Sequence, residues 1–465
     1  MPDRLSALDA SMLYLEDAST PMHVGSVAVF RRPRSGFGYG QLTALIANRL
    51  AMVPRYRQKV LAVPGGLARP VWVDDPDFDL TYHVRRSALP RPGSDEQLFD
   101  LVARLMSRPL DPTRPLWEAC LVEGLAKGRV ALVTKSHQAL VDGVRTIDIG
   151  QVILEAAPGT VEEDVPADVW RPRRPPSARR LVVDAVSETV QRPMDVLDTA
   201  RSAALDAVST ARRFAGGLVS AIGAAASPAP DSPLNVPLSQ QRRYAVARAR
   251  LSDLRAVRAD HGGTINDVVL ALIAGALRSW LLSRGRSVTS STTVRALVPL
   301  AIRDEDGWDP TILGSQVTPY VVDLPVGEAN PFVRLHQVSH SMAAHDATGR
   351  AVAANALLRL GGFAPPTLHS LGARAAASFS KRVFNLVITN VPGSQSPLYA
   401  GPAQMTEMFP IMPLMREHAL AVGVTSYDGG VYFGLTGDRD AMSDVDGLAR
   451  MIDESVQELT GTVAV

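Results

Sequence analysis

Runs of hydrophobic and polar positions divide the first third of the chain into strand-like and helix-like segments. The segments VGSVAVF at 24–30 and RVALVTKSH at 129–137 have the β-branched, apolar composition of strands. In EQLFDLVARLMSR at 96–108, apolar residues recur at three- and four-residue spacing. That spacing predicts an amphipathic helix with one buried face. Residues 1–155 are therefore predicted to form a mixed α/β unit.

A similar pattern resumes after residue 240. The strongly apolar segment VVLALIAGALRSWLLSRG predicts a helix, with Thr264 or Asn266 as the N-cap and Gly285 as the C-cap. The strand-like segments that follow it are TVRALVPLAIR at 293–303, VTPYVVDLP at 317–325, FNLVITNVP at 384–392, ALAVGVTSY at 419–427 and GVYFGLTGD at 430–438. Residues 241–465 are therefore predicted to form a second α/β unit.

The segment between these units, residues 156–240, differs from both in composition. It begins with PGTVEEDVPADVWRPRRPPSARR, whose proline and charge content is typical of a linker. A helical Ala/Val pattern then covers 177–226, with an interruption at Pro193, and SPAPDSPLNVP ends it. The chain is thus predicted to have an α/β fold of two halves, which a long helical crossover joins and a cleft separates.

Composition and charge narrow the classes of function. Hydrophobic residues make up 46% and charged residues 20% of the chain, which excludes general disorder. The formal net charge is +1, so we expect no broad basic surface for nucleic acid. The single cysteine, Cys120, excludes an internal disulfide and any Cys-based metal site.

Neither a signal peptide nor a membrane span is expected. Acidic residues at Asp3, Asp9, Glu16 and Asp17 interrupt the apolar core that a signal peptide would need. No window offers the roughly 18 charge-free apolar residues of a spanning helix, and the best approach, 214–227, is too short. We therefore expect a cytoplasmic protein, with any membrane contact made from outside the bilayer.

Two groups of possible metal ligands are better explained as surface features. His336 and His340 are four residues apart on a predicted helix, but no acidic ligand pattern accompanies them. The acidic run from Asp74 to Asp79 lacks the glycine and the final glutamate of a calcium loop. We expect a solvated helix face, an acidic surface turn and no metal site.

The segment RVALVTKSHQALVDGVR at 129–145 is the best candidate for catalysis. A strand-like run ends at His137, and Asp142-Gly143 and a helical pattern follow. A histidine at the end of a strand is well placed to act as a general base, because the rigid strand positions a side chain that the turn exposes. Residue chemistry alone leaves both a catalytic and a structural role open for His137.

The run His137-Gln138-Ala-Leu-Val-Asp142-Gly143 resembles the HHxxxDG motif of the bacterial wax ester synthase/diacylglycerol acyltransferase family, within the CoA-dependent acyltransferases. Similar segments occur in the family's order along nearly the whole chain. They are LSALDASMLYLED at 5–17, PLWE at 115–118, Asn266-Asp267 after a threonine, VRALVPLAIR at 294–303 and ITNVPGS at 388–394. Each is weak by itself, but their order and spacing together make the resemblance specific.

The resemblance implies two chloramphenicol-acetyltransferase-like subdomains with the histidine motif in a tunnel between them. The implied reaction is direct attack by the hydroxyl of diacylglycerol, or of a long-chain alcohol, on the thioester of acyl-CoA. The products would be triacylglycerol or wax ester. Acyl-CoA is then a co-substrate and no bound cofactor is implied. The motif aspartate is usually structural, which here implies Asp142 paired with Arg295 or Arg303.

This sequence departs from the family at the catalytic base. The second motif histidine, which acts as the base, aligns with Gln138, and an amide cannot accept a proton at physiological pH. Three hypotheses follow. His137 serves as the base instead; or the protein is a weak acyltransferase that relies on positioning and an oxyanion site; or it binds acyl-CoA or lipid without turnover. Acyl transfer to a sugar, polyketide or peptide is a broader alternative.

Five further residues of the resembling motifs are candidate substrate contacts: Gly143, Asn266, Asp267, Asn390 and Gly393. The amide of Asn390 is suited to donate to the developing oxyanion. Asn266 and Asp267 are equally suited to cap and anchor a core helix.

A lipid substrate also implies contact with the inner membrane or a lipid droplet. The crossover 177–226 is the candidate surface, because Val182, Val186 and Val190 recur at four-residue spacing near several arginines, including Arg212 and Arg213. The alternative is that this apolar stripe packs against the protein itself.

Overall fold

The computed structural model describes residues 3–34, 36–141, 149–159, 170–191, 228–301, 317–348 and 383–461. Within these ranges it contains two six-stranded sheets and one three-stranded sheet. Each large sheet has its own hydrophobic core. The two α/β halves that the hydrophobic pattern predicts are therefore present.

The first sheet belongs mainly to the N-terminal half. Its strands, in spatial order, are β12 (Tyr399–Ala400), β13 (Ala403–Ile411), β2 (His23–Arg31), β7 (Arg129–His137), β6 (Trp117–Leu125) and β5 (Val84–Ala88). The helices of this half are α1 (Ala7–Leu15), α2 (Tyr39–Arg49), α3 (Leu80–His83), α4 (Asp95–Met106), α5 (Gln138–Val141) and α6 (Ile149–Val152). The predicted helix at 96–108 is α4, which begins at a Ser94/Gln97 capping box and buries Leu98 and Val102. Its predicted buried face is confirmed.

The second sheet belongs to the C-terminal half. Its strands, in spatial order, are β10 (Val317–Leu324), β9 (Val294–Ala301), β11 (Leu386–Pro392), β14 (Leu420–Tyr427), β15 (Gly430–Asp438) and β8 (Arg242–Arg250). Its helices are α8 (Leu251–His261), α9 (Ile265–Ser283), α10 (Pro331–Thr348) and α11 (Val445–Thr460). Thr264 is the N-cap of α9. Its C-cap is Arg284, one residue before the predicted Gly285, which takes the positive φ of 69° that ends the helix. Of the two residues proposed as N-cap, the structure selects Thr264.

Two strands from the C-terminal half belong to the sheet of the N-terminal half, which corrects the predicted unit 241–465. β13 pairs antiparallel with β2, so that Phe409 lies opposite Val27. The exchanged segment also packs on its own half, since the hydroxyl of Tyr244 donates to the carbonyl of Pro410 (2.9 Å). Gly434 is required at this contact, because a Cβ there would lie 1.9 Å from the same carbonyl oxygen. The exchange holds the two halves together.

A small sheet carries the start of the crossover. It consists of β1 (Asp3–Arg4), β4 (Val71–Asp74) and β3 (Gln58–Leu61), and helix α7 (Ala178–Gln191) packs near it. Leu181 and Ala185 are the buried residues of α7, whereas the side chain of Val186 is 50% exposed. Of the predicted valine stripe, Val186 is therefore exposed and Val182 is half-buried. Val190, Arg212 and Arg213 lie outside the residues or side chains that the structure describes.

Helix α9 meets the length and apolarity of a membrane span, although the sequence pattern predicted no span. Among the described residues it is the one helix to do so, with 19 residues and a mean hydropathy of 1.6 in its apolar window. However, 72% of that window is buried within the protein. α9 is therefore the central helix of the second core, against which α10 and α11 pack.

Candidate active site

The histidine motif begins where the central strand β7 leaves the first sheet. β7 lies between β2 and β6, so both of its edges are hydrogen-bonded, and its side chains from Val130 to His137 are buried. The amide of His137 still donates to the carbonyl of Leu116 (2.9 Å), and that of Gln138 donates to the carbonyl of Met22 (2.8 Å). The sheet therefore fixes the backbone of both residues. The short helix α5 begins at Gln138.

The imidazole of His137 is buried and contacts a polar group at each ring nitrogen. Its Nδ1 accepts a hydrogen bond from the amide of Ala139 (3.0 Å). A neutral ring with that bond carries its proton on Nε2, which lies 3.4 Å from Oε2 of Glu16. The side chain is 1% exposed. In this arrangement Nδ1 is occupied, and Nε2 carries the proton of the neutral ring without a hydrogen bond among the described residues. The hypothesis that His137 is the base therefore requires the Ala139 bond to break.

Glu16 lies between two buried histidines. His23 is directly opposite His137 in the β2–β7 register, and its Nε2 is 3.5 Å from Oε1 of Glu16. Burial, together with the nearby charge of Lys135, holds the pKa of His23 well below its usual range. His23 is therefore neutral at physiological pH. The Glu16 side chain, by contrast, is 28% exposed.

The sequence pattern did not assign Glu16 or His23 to the site. The one available signal is the segment LSALDASMLYLED, which contains Glu16 and contributes to the family resemblance. Nothing in that segment indicates that Glu16 meets a histidine more than a hundred residues away in the sequence. The pairing of β2 with β7 places His23 opposite His137, and the packing of α1 against α5 brings Glu16, which follows α1, beside them.

The structure describes only some of the other residues predicted near the histidine motif. Gln138 is half-buried at the start of α5. Asp142, Gly143 and Arg303 lie outside the described residues. Arg295 forms an ion pair with Asp323, in which Nε and Oδ1 are 2.7 Å apart. The proposed pairing of Asp142 with an arginine therefore stays a prediction.

Two asparagines from the second half form a contact of their own. Nδ2 of Asn390, at the end of β11, lies 3.3 Å from Oδ1 of Asn266 and donates to it. This leaves Nδ2 of Asn266 buried with no partner among the described residues. The side-chain amide of Asn266 is held at its oxygen by Asn390, and its unpaired NH2 group is suited to donate to an oxygen of substrate. The assignment of Asn266 and Asn390 to substrate stays a prediction that this geometry favours.

Asp267 and Gly393 have structural explanations. Oδ2 of Asp267 accepts the amide proton of Thr264 (2.8 Å), which completes the capping box of α9. A Cβ at Gly393 would lie 2.3 Å from the carbonyl oxygen of Ser426. The close approach of β11 to β14 therefore excludes a side chain at 393. These contacts explain both residues without substrate.

An aromatic cluster holds the chain at Ile149, after the histidine motif in the sequence. The ring of Trp117 stacks on His83 with centroids 4.7 Å apart, and its Nε1 donates to the carbonyl of Tyr56 (2.8 Å). The hydroxyl of Tyr56 in turn accepts from the amide of Ile149 (2.8 Å). Burial lowers the pKa of His83 to about 4, so this ring is neutral. The cluster therefore fixes the backbone at Ile149, which is six residues after Gly143 in the sequence.

Lys135, two residues before His137, is buried but has no evident catalytic role. Its ammonium donates to the carbonyls of Leu105 (3.1 Å) and Arg108 (2.6 Å), at the C-terminal end of α4. Burial lowers the pKa of Lys135 to about 8. These bonds tie α4 to β7.

The other candidate groups do not form a second site. Across the ranges that the structure covers, no three His, Cys, Asp or Glu side chains are grouped to hold a metal ion. His336 and His340 are exposed on α10, as predicted. The acidic turn is not wholly at the surface, because Asp75 is buried and pairs with Lys59 (2.8 Å). Burial raises the pKa of the Cys120 thiol to about 11, which makes it a poor nucleophile.

Comparison with known families adds a second line of evidence. Residues 5–269 match the wax ester synthase/diacylglycerol acyltransferase catalytic domain, and residues 313–460 match the C-terminal domain of the same family. The chain is 51% identical over 263 residues to a probable diacylglycerol O-acyltransferase, tgs3, of Mycobacterium tuberculosis, covering 56% of this chain and 96% of that protein. It is 32% identical over 465 residues to the probable diacylglycerol O-acyltransferase tgs1 of the same organism, covering 98% and 96%.

Solved structures agree with these matches. A wax ester synthase/diacylglycerol acyltransferase from Marinobacter aquaeolei VT8 superposes with a TM-score of 0.66 at 26% identity, covering 99% of this chain and all of that one. The first condensation domain of the calcium-dependent antibiotic synthetase superposes with a TM-score of 0.56 at 16% identity, covering 100% and 97%. The second likeness concerns the fold alone. It confirms the two-subdomain, chloramphenicol-acetyltransferase-like architecture.

Proposed function

Because the chain belongs to the wax ester synthase/diacylglycerol acyltransferase family, we propose that it is an acyl-CoA-dependent O-acyltransferase that makes triacylglycerol from diacylglycerol. Wax ester synthesis from long-chain alcohols is the second activity of this proposal. The observation that carries it is similarity along nearly the whole chain, 32% identity over 98% of its length, to a probable diacylglycerol O-acyltransferase.

The reaction needs no covalent intermediate and no bound cofactor. The acceptor hydroxyl attacks the thioester carbonyl, and the CoA thiolate leaves. A thiolate is a fair leaving group, because thiols ionise near pH 8.5. Asn266 and Asn390 are the proposed donors to the oxyanion that forms on the carbonyl oxygen. Their contact, with one amide nitrogen left unpaired among the described residues, supports this role.

A second candidate function follows from Gln138. A relative that has lost the basic side chain at this position could retain acyl-CoA or lipid binding without turnover. The bound lipids would be the same, so only a turnover measurement separates the two functions.

We expect the purified protein to transfer radiolabelled acyl groups from acyl-CoA to diolein, which gives triacylglycerol. Transfer to hexadecanol, which gives a wax ester, should be no faster than transfer to diolein. Product would be resolved by thin-layer chromatography, with equilibrium binding of acyl-CoA measured in parallel. Tight acyl-CoA binding with no product from either acceptor would support the non-catalytic function instead. Product from amine or sugar acceptors alone would place the chain with the broader acyltransferases.

Diacylglycerol is nearly insoluble, so an enzyme that uses it has to reach a lipid surface. We place the protein in the cytoplasm, in peripheral contact with the inner membrane or lipid droplets through the crossover. Support comes from α7, where Val183 and Val186 are 64% and 50% exposed and Arg179 and Arg180 are also exposed. Apolar side chains beside arginines suit a helix that lies in an anionic interface.

The protein is expected to sediment with anionic vesicles at low salt and to be released as salt rises, since screening weakens the attraction of arginine to anionic lipid. Replacing Arg212 and Arg213 by glutamate should reduce binding, and Val183→Asp with Val186→Asp should do the same. Arg255→Glu with Arg258→Glu is the matched control, because both arginines are exposed on α8, in the other half. Equal loss in the control, or no binding at low salt, would exclude the crossover as the contact.

A further inference from the structure

Gln138 leaves the proposed reaction without a proton acceptor at the family's usual position. We propose that Glu16 is the catalytic residue that takes the proton from the acceptor hydroxyl in this protein. The inference rests on the proposed acyl transfer and adds to it a residue on a different segment of the chain.

Glu16 lies close to the position where the family has its base. Glu16 follows α1, and α1 packs against α5, the helix that begins at Gln138. Oε1 of Glu16 accepts the amide proton of Met22 (3.3 Å), and the carbonyl of Met22 accepts the amide proton of Gln138 (2.8 Å). One residue thus links the carboxylate to the backbone of the position where the family has its base.

Glu16 is more accessible than the two histidines it contacts. The imidazoles of His137 and His23 are 1% exposed each, whereas the carboxylate side chain of Glu16 is 28% exposed. A group that removes a proton from substrate has to touch it. Of Glu16, His23 and His137, only Glu16 has a side chain that substrate can reach from solvent.

Glu16 also has free proton-accepting positions that His137 lacks. The lone pair on Nδ1 of His137 is occupied by the Ala139 amide, and its Nε2 carries the proton of the neutral ring, so neither nitrogen can accept a proton in this arrangement. An ionised carboxylate has four lone-pair sites and no proton to lose. Nε2 of His137 and Nε2 of His23 lie 3.4 and 3.5 Å from different oxygens of Glu16, but neither makes a hydrogen bond to it among the described residues. The hydrogen bond that holds the carboxylate comes from the amide of Met22.

The step balances with the groups present. The acceptor O–H bond breaks and its proton goes to a Glu16 oxygen, while the hydroxyl oxygen forms a bond to the thioester carbonyl carbon. The tetrahedral intermediate collapses, the C–S bond breaks, and the CoA thiolate takes the proton from Glu16. Ester and free CoA thiol leave, and the carboxylate is regenerated. No further reactant is required.

The rival explanation is that Glu16 only stabilises the corner between α1 and β2. If Glu16 is the base, its substitution should matter less once Gln138→His supplies another base. If Glu16 is only structural, its substitution should lower the rate equally in both proteins. We therefore compare Glu16→Gln in two backgrounds, the natural chain and Gln138→His, with rates of triacylglycerol formation and melting temperatures measured for all four proteins. Glu96→Gln, an exposed glutamate in the first turn of α4, is the matched control.

Loss of a general base costs about 10²–10⁴-fold in rate. Glu16→Gln is expected to lower the rate of the natural chain by at least about 10²-fold, and that of Gln138→His by less than about threefold, while Glu96→Gln changes neither. Equal losses in both backgrounds would show that Glu16 is structural and overturn its catalytic role. An unchanged rate for Glu16→Gln in an active natural chain would overturn that role and leave the proposed function standing. A natural chain with no transfer to any acceptor would overturn both.

Discussion

Gln138→His is expected to raise the rate of acyl transfer at least about tenfold over the natural chain. The substitution places an imidazole at the position where the family has its base, and general-base catalysis contributes roughly 10²–10⁴-fold. If Glu16 already removes the proton, the increase in rate is smaller than the full contribution of a general base. The backbone at 138 is held by the Met22 carbonyl, so the new side chain replaces the old one without moving the strand end. The rate of labelled triacylglycerol formation at saturating acyl-CoA measures the effect.

Two alanine variants complete this experiment. If His137 is the base, His137→Ala should remove nearly all transfer, while Gln138→Ala should have a mild effect. Small and equal effects of both would exclude His137 as the base. Gln138→His without any gain in rate, at an unchanged melting temperature, would show that position 138 does not face the acceptor hydroxyl.

Trp117→Ala is expected to lower the free energy of unfolding by about 3–5 kcal/mol, the range for removing a large aromatic side chain from a core. Trp117 is fully buried, stacks on His83 and donates to the Tyr56 carbonyl. Its removal leaves a cavity beneath the contact between Tyr56 and Ile149, so acyl transfer should fall as well. Urea unfolding followed by circular dichroism gives the free energy.

Trp117→Phe is the control for this prediction. It keeps an aromatic ring against His83 and loses the indole N–H bond, which contributes about 1 kcal/mol. Its loss of stability should therefore be clearly smaller than that of the alanine variant. A loss below about 1 kcal/mol for Trp117→Ala would mean that the contacts of Trp117 with His83 and Tyr56 do not stabilise the fold.

The sequence by itself determined the local elements. The three- and four-residue spacing in α4 predicted its buried face, and Thr264 was one of two predicted N-caps of α9. Helix caps and amphipathic faces depend on residues within a few positions of each other, so the sequence contains the whole signal. The motif at 137–143, together with the similar segments in the family's order, also indicated the family from sequence alone.

Only the tertiary structure decided which distant segments meet. The apolar pattern of β13 is compatible with either sheet, and pairing with β2 placed it in the sheet of the other half. The non-local pairing of β2 with β7 placed His23 opposite His137, and the packing of α1 against α5 brought Glu16 to both. Strand pairing follows from the packing of whole sheets rather than from neighbouring residues, and two strands of similar alternation have no local mark of their partner. The chain's own sequence therefore identified where the motif lies, while the fold supplied the carboxylate beside it.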